Sequence, residues 1–434
     1  MKIVSFVEGA ERPGFVGTPK FLASTAAHGH SIVLVMAGFP SLGSEEFAVP
    51  DVKSALLRKE GDGSFGVVNL NAWTRWRFCP SIIWRFSRLV RESDFVTLHS
   101  LYSFPVLAGY FLARLHNKPY AFWPHGVLAP FQRKVGARHK WIYHKIFANR
   151  IMRNASIILY SAEGERQETE ALKLRPPSVI VAEGFSSEEF DNLPERGKFR
   201  SRFFNGHSGP LVLFLARLNA KKGVDLLIQA MRHVIAARPD SKLAIVGPPD
   251  PPAFIKLVVN WIKESGIEAN TVVTGPADPK MRLEAYADAD VYVLPSHAEN
   301  FGFTVFEAMA SGVPVVVSET LNFAKDFVTG GAGFAPPRTA EDFSDRILAL
   351  LNTPEMRREM GTCGRMLARR YSWDSTGARI SSALESVLNN REFPPELLPR
   401  VSLEHPGTVA KGGRLKPSVD SARIEARTNE ASRQ

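Results

Sequence analysis

The chain has 434 residues, of which 44% are hydrophobic and 23% charged, and carries a formal net charge of +10. That length exceeds what one hydrophobic core usually serves, so two domains are expected, and the composition is globular rather than disordered or fibrous. No apolar run reaches the roughly 18 residues that span a bilayer, and the opening "MKIVSFVEGAERPG" has too short an apolar segment for a signal peptide, which leads to the expectation of a cytoplasmic protein.

In chain order, short β-branched runs alternate with helical patterns. "KIVSFV" (2 to 7), "SIVLVMA" (31 to 37), "DFVTLHS" (94 to 100), "PYAFWPHG" (119 to 126), "ASIILYS" (155 to 161) and "SVIVAE" (178 to 183) read as buried strands. The series restarts with "PLVLFLARL" (210 to 218), "SKLAIVG" (241 to 247), "NTVVTG" (270 to 275), "DVYVLPS" (290 to 296) and "VPVVVS" (313 to 318). Strands separated by helices imply parallel, doubly wound sheets, so the fold class is α/β with two Rossmann-like domains. The polar, turn-rich stretch 186 to 209 is expected to join them. The first domain is placed at 1 to 190 and the second at 205 to 370, with a helical segment at 371 to 390 after the interruption "YSWDS". From 391 to 434 the chain has few apolar residues and several prolines, and is expected to be a disordered tail. Cys79 and Cys363 are far apart and lack partners at metal spacing, so neither a disulfide framework nor a zinc site is indicated.

The charge is unevenly placed. From Trp73 to Arg153 there are 14 Lys and Arg against Glu92 and Asp94, a local +12. "WTRWRFCPSIIWRFSRLVR" interleaves aromatics with arginines, which suits anionic lipid headgroups better than nucleic acid. An amphipathic helix with its aromatics in the core and its arginines solvated accounts for the same pattern. A peripheral contact of residues 73–153 with the inner face of the cell membrane is one expectation; nucleic acid is the weakest.

Ligands of open α/β sheets bind beyond the carboxyl ends of the strands. In the second half, "ARLNAKKG" places Arg217 and Lys222 in the turn after the first strand, where a fork and an ammonium suit a diphosphate. Taken alone, they are equally two solvated surface cations. "PSHAENFGFTVFEAMASGVPVVVS" then places Glu299 in a loop and Glu307 one turn into a helix stopped by Gly312. Gly302, Phe303 and Thr304 fall at the start of that helix, where free N–H groups favour phosphate. Even fully helical, the eight steps between the two acids put their Cα atoms ~12 Å apart. The carboxyl pairs that cleave one glycosidic bond stand only ~5 to 9.5 Å apart. The spacing therefore favours two contacts on a long ligand such as a sugar nucleotide, although either acid alone reads as an ordinary loop or helix residue.

Together, "FLARLNAKKGVDLLIQA" and "YADADVYVLPSHAENFGFTVFEAMASGVPVV" resemble the donor-binding half of the family 4 retaining glycosyltransferases of GT-B fold, with their E-x7-E signature. The first half is similar through "LHSLYSFPVLAGY", "KPYAFWPHGVLAP" and "ASIILYSAEGER". The resemblance spans residue 1 to about 390 and implies two Rossmann-like domains facing across a cleft, with a final helix crossing back to the first. It implies that Glu307 holds the ribose, Glu299 the sugar hydroxyls, and Arg217 with Lys222 the diphosphate. His125 of "PHG" would lie near the anomeric carbon and His99 of "LHS" would be a weaker candidate. Gly14 and Gly17 would let backbone approach the donor phosphate. No cofactor beyond the nucleoside diphosphate sugar and no metal is implied, and the acceptor would be a lipid-linked or polysaccharide glycan. The chain departs from the family pattern at Ala216, where glycine is usual, in the 8 to 21 loop, and in the proline-rich "VGPPD" (246 to 250). Rival readings are an epimerase or phosphorylase on the same frame, or a non-catalytic polyanion- or membrane-binding protein. A dehydrogenase is disfavoured, since no G-x-G-x-x-G follows a strand.

Overall fold

The computed structural model describes residues 1–7, 17–38, 58–60, 63–71, 76–128, 141–299 and 301–398. Gly14, Arg75 and the stretch 399–434 lie outside the described residues. The chain divides into two compact units, one formed by Met1–Gly184 with Tyr371–Val401, the other by Phe185–Arg370.

The first unit is built on an eight-stranded sheet. Its strands are β1 (Lys2–Phe6), β2 (Ser31–Gly38), β3 (Arg58–Glu60), β4 (Gly63–Asn71), β5 (Phe95–His99), β6 (Tyr120–Trp123), β7 (Ile157–Tyr160) and β8 (Ser178–Ile180). They lie in the order β3-β4-β2-β1-β5-β6-β7-β8, and all pairs are parallel except β3 with β4. The β3–β4 pair is absent from the sequence reading because "SFGVVNLN" alternates weakly and β3 is only three residues long.

Both faces of this sheet are covered, which is why β1, β2, β6 and β7 are mostly apolar. Successive residues point to opposite faces: Val4, Phe6, Val96 and Leu98 enter one core and Ile3, Ile32, Leu34 and Phe95 the other. The first core is closed by α2 (Ser81–Glu92) and α3 (Phe104–Leu115). The second is closed by α1 (Gly17–Ala27) and by the late helix Trp373–Leu388. That helix starts at Ser372, whose hydroxyl accepts from Ser375 N at 3.2 Å, a normal N-cap. Two short helices, α4 (Asn149–Arg153) and α5 (Glu163–Glu168), flank β7.

Helix α2 carries three of the 14 basic residues of the stretch 73–153. Ile82, Phe86 and Val90, four apart, are buried, while Trp84 stays 66% exposed beside Arg85, Arg88 and Arg91. Arg77 departs from the expected solvated arginines: it is 6% exposed and has φ 62°.

The second unit has a six-stranded parallel sheet, β11-β10-β9-β12-β13-β14. Its strands are β9 (Leu211–Leu215), β10 (Lys242–Val246), β11 (Thr271–Gly275), β12 (Val291–Leu294), β13 (Val315–Val317) and β14 (Gly333–Phe334). Its helices are α6 (Lys198–Phe204), α7 (Val224–Ala237), α8 (Phe254–Glu264), α9 (Pro279–Asp288), α10 (Phe303–Ala310), α11 (Ala324–Thr329), α12 (Ala340–Asn352) and α13 (Pro354–Ala368). The sequence order reverses on either side of the β9/β12 pair, the place where such sheets open a crevice at their carboxyl ends.

The stretch 186 to 209, expected as a joining segment, folds into this second unit. Phe199 is fully buried, the backbone N–H groups of Gly197 and Arg200 donate to the Asp288 carboxylate, and Arg200 Nη2 donates to Asp290 Oδ2 at 2.8 Å. A buried arginine shared by two aspartates fixes a segment whose composition alone reads as linker.

Candidate functional site

In the second unit, the loops after β9 and β12 meet at the switch point. The chain leaving β9 makes a 3₁₀ turn, Ala220–Lys222, and enters α7 through Gly223 at φ 69°. A Cβ at Gly223 would lie 2.1 Å from the carbonyl oxygen of Pro295, so only glycine lets the two loops touch. That approach sets Lys222 Nζ 2.5 Å from Glu299 Oε1, with both side chains nearly buried at 14% and 10% exposure. Ser296 Oγ donates to the same carboxylate oxygen at 2.8 Å. Burial works to raise the pKa of Glu299, yet the charges of Lys222 and Lys221 and the hydrogen bonds from Lys222 and Ser296 hold it below the ordinary value. Glu299 is an anion with its charge already matched.

Helix α10 begins after Gly302, which caps it at φ 82°. Phe303 packs edge-on against Phe301 with ring centroids 4.9 Å apart. Thr304 Oγ1 accepts from the Tyr292 hydroxyl at 2.7 Å. Glu307, one turn in, is 9% exposed, and it accepts from Arg282 Nη1 at 2.8 Å and from the Tyr286 hydroxyl at 2.9 Å. Burial raises its pKa, against the opposing pull of Arg282 and Tyr286. Arg217 pairs with Asp250 at 2.9 Å, with side chains 39% and 53% exposed. Lys222 thus stands with Glu299, while Arg217 stands with a more exposed acid.

In the first unit, His125 follows β6 with φ 51°, an uncommon backbone position for a residue other than glycine. Its ring stacks on Trp123, with centroids 5.1 Å apart and planes 2° from parallel. His125 Nε2 lies 3.1 Å from His99 Nδ1, and Nδ1 lies 3.5 Å from Glu183 Oε1. His99 continues through Thr97 Oγ1 at 2.9 Å to Ser5 Oγ at 2.6 Å from Thr97. Burial and the neighbouring His125 push the pKa of His99 well down, so it is neutral. Glu165 accepts from Gly126 N at 2.5 Å and Ser161 N at 2.7 Å, and burial pushes its pKa up to about 7. Gly17 is the first residue of α1; Gly14 lies outside the described residues.

The two acids, Lys222 and His125 are legible in the sequence; Ser296, Arg282, Tyr286, Glu183 and Glu165 are not. Tyr286 and Arg282 sit four apart on α9, on the face turned to α10, and nothing in "MRLEAYADAD" marks that face. Among the described residues, no group of three or more His, Cys, Asp or Glu could hold a metal ion. No helix among them is long and apolar enough to cross a membrane.

Comparison with known proteins gives a family to each unit. Residues 18–183 match the model "Glycosyl transferase 4-like domain", and residues 196–366 match "Glycosyl transferases group 1". The chain is 27% identical over 261 residues to a D-inositol 3-phosphate glycosyltransferase of Corynebacterium glutamicum, covering 58% of this chain and 62% of that relative. It is 26% identical over 329 residues to a phosphatidyl-myo-inositol mannosyltransferase of Mycobacterium leprae, covering 72% and 79%. Among solved structures, Anabaena Alr3699/HepE in complex with UDP and glucose superimposes with a TM-score of 0.67 at 18% identity, covering 89% of this chain and 100% of that one, which shows the GT-B fold. The two models together span most of the chain, which is a glycosyltransferase built from these two domains.

Proposed function

We propose that this glycosyltransferase moves a hexosyl group from a nucleoside diphosphate sugar to an acceptor hydroxyl, with retention at the anomeric carbon. The observation that carries this reading is the Lys222–Glu299 pair at the β9/β12 switch point, with Glu307 on the helix that follows. As the bond to the sugar breaks, charge grows on the leaving diphosphate. Lys222, Arg217 and the N–H groups at the start of α10 are the donors available to it, and losing one such donor commonly costs ~2.7 to 4 kcal/mol of barrier. Glu299, held ionised, accepts hydroxyls of the transferred sugar, and Glu307 those of the ribose. His125, fixed between His99 and Glu183, is the candidate group beside the reacting centre on the acceptor side. Phosphate charge is met by cations of the chain itself, so the reading assigns no metal and no further cofactor.

A lipid-linked acceptor is favoured by two observations: the relatives named above act on inositol-containing acceptors, one of them a phospholipid by name, and α2 turns Trp84 and three arginines outward. The same face supports a peripheral contact with an anionic membrane, which the reading assigns to the inner side. The test is incubation with UDP- and GDP-sugars and membrane extract, following release of nucleotide and the anomeric configuration of the product by NMR. Glu299→Ala should abolish transfer. Turnover of the donor without added acceptor would favour an epimerase or phosphorylase, absence of turnover with every donor would favour a purely binding role, and full activity in Glu299→Ala would remove Glu299 from the reading.

A further inference from the structure

The two oxygens of Glu307 are engaged by different donors, Oε1 by Arg282 and Oε2 by Tyr286. An ionised carboxylate offers about four lone-pair sites, so among the described residues each oxygen keeps one without a partner, which suits two hydroxyls of a vicinal diol. Arg282 does not serve Glu307 alone. Its Nη2 donates to the Glu189 carboxylate, and its guanidinium lies over the Phe190 ring, 5.6 Å from the centroid. One cation is thus held between a nearly buried acid, Glu307 (11% side-chain exposure), and a half-exposed one, Glu189 (44%).

We propose that Arg282 is a positioning residue for the nucleotide sugar: it holds Glu307 as an oriented anionic acceptor for the ligand's diol, and Glu189 competes with Glu307 for it. The inference rests on the nucleotide-sugar reading above and adds to it two residues outside the sequence signature.

The groups facing Glu307 are few. Arg282 and Tyr286 approach from α9, Glu189 from the turn Glu188–Phe190, and Tyr292 from β12. Burial raises the pKa of both tyrosines, so they remain hydrogen donors and carry no charge. Among the described residues, Arg282 and Glu189 set the local charge, with opposite signs. Burial favours protonation of Glu307, Arg282 opposes it, and Glu189 supports it, both by its own charge and by drawing the guanidinium away. A protonated Glu307 turns one acceptor into a donor and loses the match to the diol. Removing Arg282 should therefore carry the acid-side loss of affinity to higher pH, and removing the charge of Glu189 should carry it to lower pH.

Calorimetric binding of UDP-glucose and GDP-mannose to the full chain between pH 5 and 8.5 tests this, because their diphosphates do not change ionisation in that range. Arg282→Gln should weaken binding about tenfold at pH 7 and approach wild type at pH 8.5, with Arg282→Lys intermediate. Glu189→Gln should retain affinity further into the acid range than wild type. Equal weakening of Arg282→Gln at every pH, or a shift of both variants in the same direction, overturns the proposal. If neither sugar nucleotide binds wild type, the nucleotide-sugar reading fails separately. Titration of the ¹³C-labelled Glu307 carboxyl in the ligand-free chain, assigned with Glu307→Gln, then decides the pairing. A midpoint that moves up in Arg282→Gln and down in Glu189→Gln supports it, and an unmoved midpoint overturns it.

Discussion

The ammonium of Lys222 and the carboxylate of Glu299 stand 2.5 Å apart and almost out of water, although 77 residues separate them in the chain. Removing one member leaves an uncompensated buried charge, which costs about 3 to 5 kcal/mol. Lys222→Met should lower stability by that order in urea unfolding. The double variant Lys222→Met/Glu299→Gln should recover part of the loss, with a coupling of about 0.5 to 3 kcal/mol in a double-mutant cycle. Strict additivity would mean that the two groups do not meet in solution.

Glu165 carries a second testable charge. Burial raises it to about 7 from 4.5 in spite of two backbone N–H donors. A folded-state pKa above the unfolded one means that the native state binds the extra proton, so this contribution to stability is complete below about pH 4.5 and is lost as pH rises through about 7. At ~1.4 kcal/mol per pH unit the loss is on the order of 3 kcal/mol. Unfolding free energies from pH 4.5 to 8 should fall more steeply in wild type than in Glu165→Ala, by up to one proton's slope. Parallel curves would place the proton elsewhere.

Two glycines separate close approach from backbone conformation. Gly223 and Gly302 both have positive φ, but a Cβ at Gly223 would meet the Pro295 carbonyl oxygen at 2.1 Å, whereas at Gly302 the nearest atom is 3.5 Å away. Gly302→Ala should cost only the left-handed conformation, about 1 to 2 kcal/mol. Gly223→Ala adds the strain of parting two loops, about 1 to 3 kcal/mol more, and should separate Lys222 from Glu299. Thermal unfolding of the two variants measures the difference; equal shifts would remove the close contact as the reason for Gly223.

Much of this was legible in the sequence, for identifiable reasons. The inner strands showed because parallel strands buried on both faces are continuous apolar runs, and Glu299 and Glu307 showed because they lie in one unbroken segment with Gly302. What was not legible depends on contacts between distant segments. Arg282 meets Glu307 across 25 residues and Glu189 across 93, and Glu183 reaches His125 across 58. The same limit hid α6, whose buried Arg200 depends on Asp288 and Asp290, at the end of α9 and in the turn before β12, some 90 residues on. Arg77 was misread for the complementary reason: in a row of arginines beside tryptophans, only the backbone path decides which one turns inward.

The outward face of α2 is where the membrane expectation can be measured. Ile83 and Trp84 are exposed at 40% and 66%, and Arg85, Arg88 and Arg91 share the solvent side while Ile82, Phe86 and Val90 anchor the helix. Further along, Trp141, Ile142 and Ile146 are exposed too, and Lys145 lies over the Trp141 ring at 5.4 Å. The Phe111–Phe147 contact, with centroids 6.2 Å apart, ties that segment to α3, which packs beside α2. Basic residues near an anionic surface contribute ~1 kcal/mol each, so replacing Arg85, Arg88 and Arg91 with glutamine should weaken binding to phosphatidylglycerol vesicles by about two orders of magnitude. Trp84→Ala should weaken it further. Raising salt should reduce wild-type binding and affect the triple variant less, since three of the charges that salt screens are gone. Arg77, being buried, serves as the internal comparison: its replacement should alter folding stability without changing the salt dependence. Equal sedimentation of wild type and the triple variant with anionic vesicles would end the assignment of this face to a membrane.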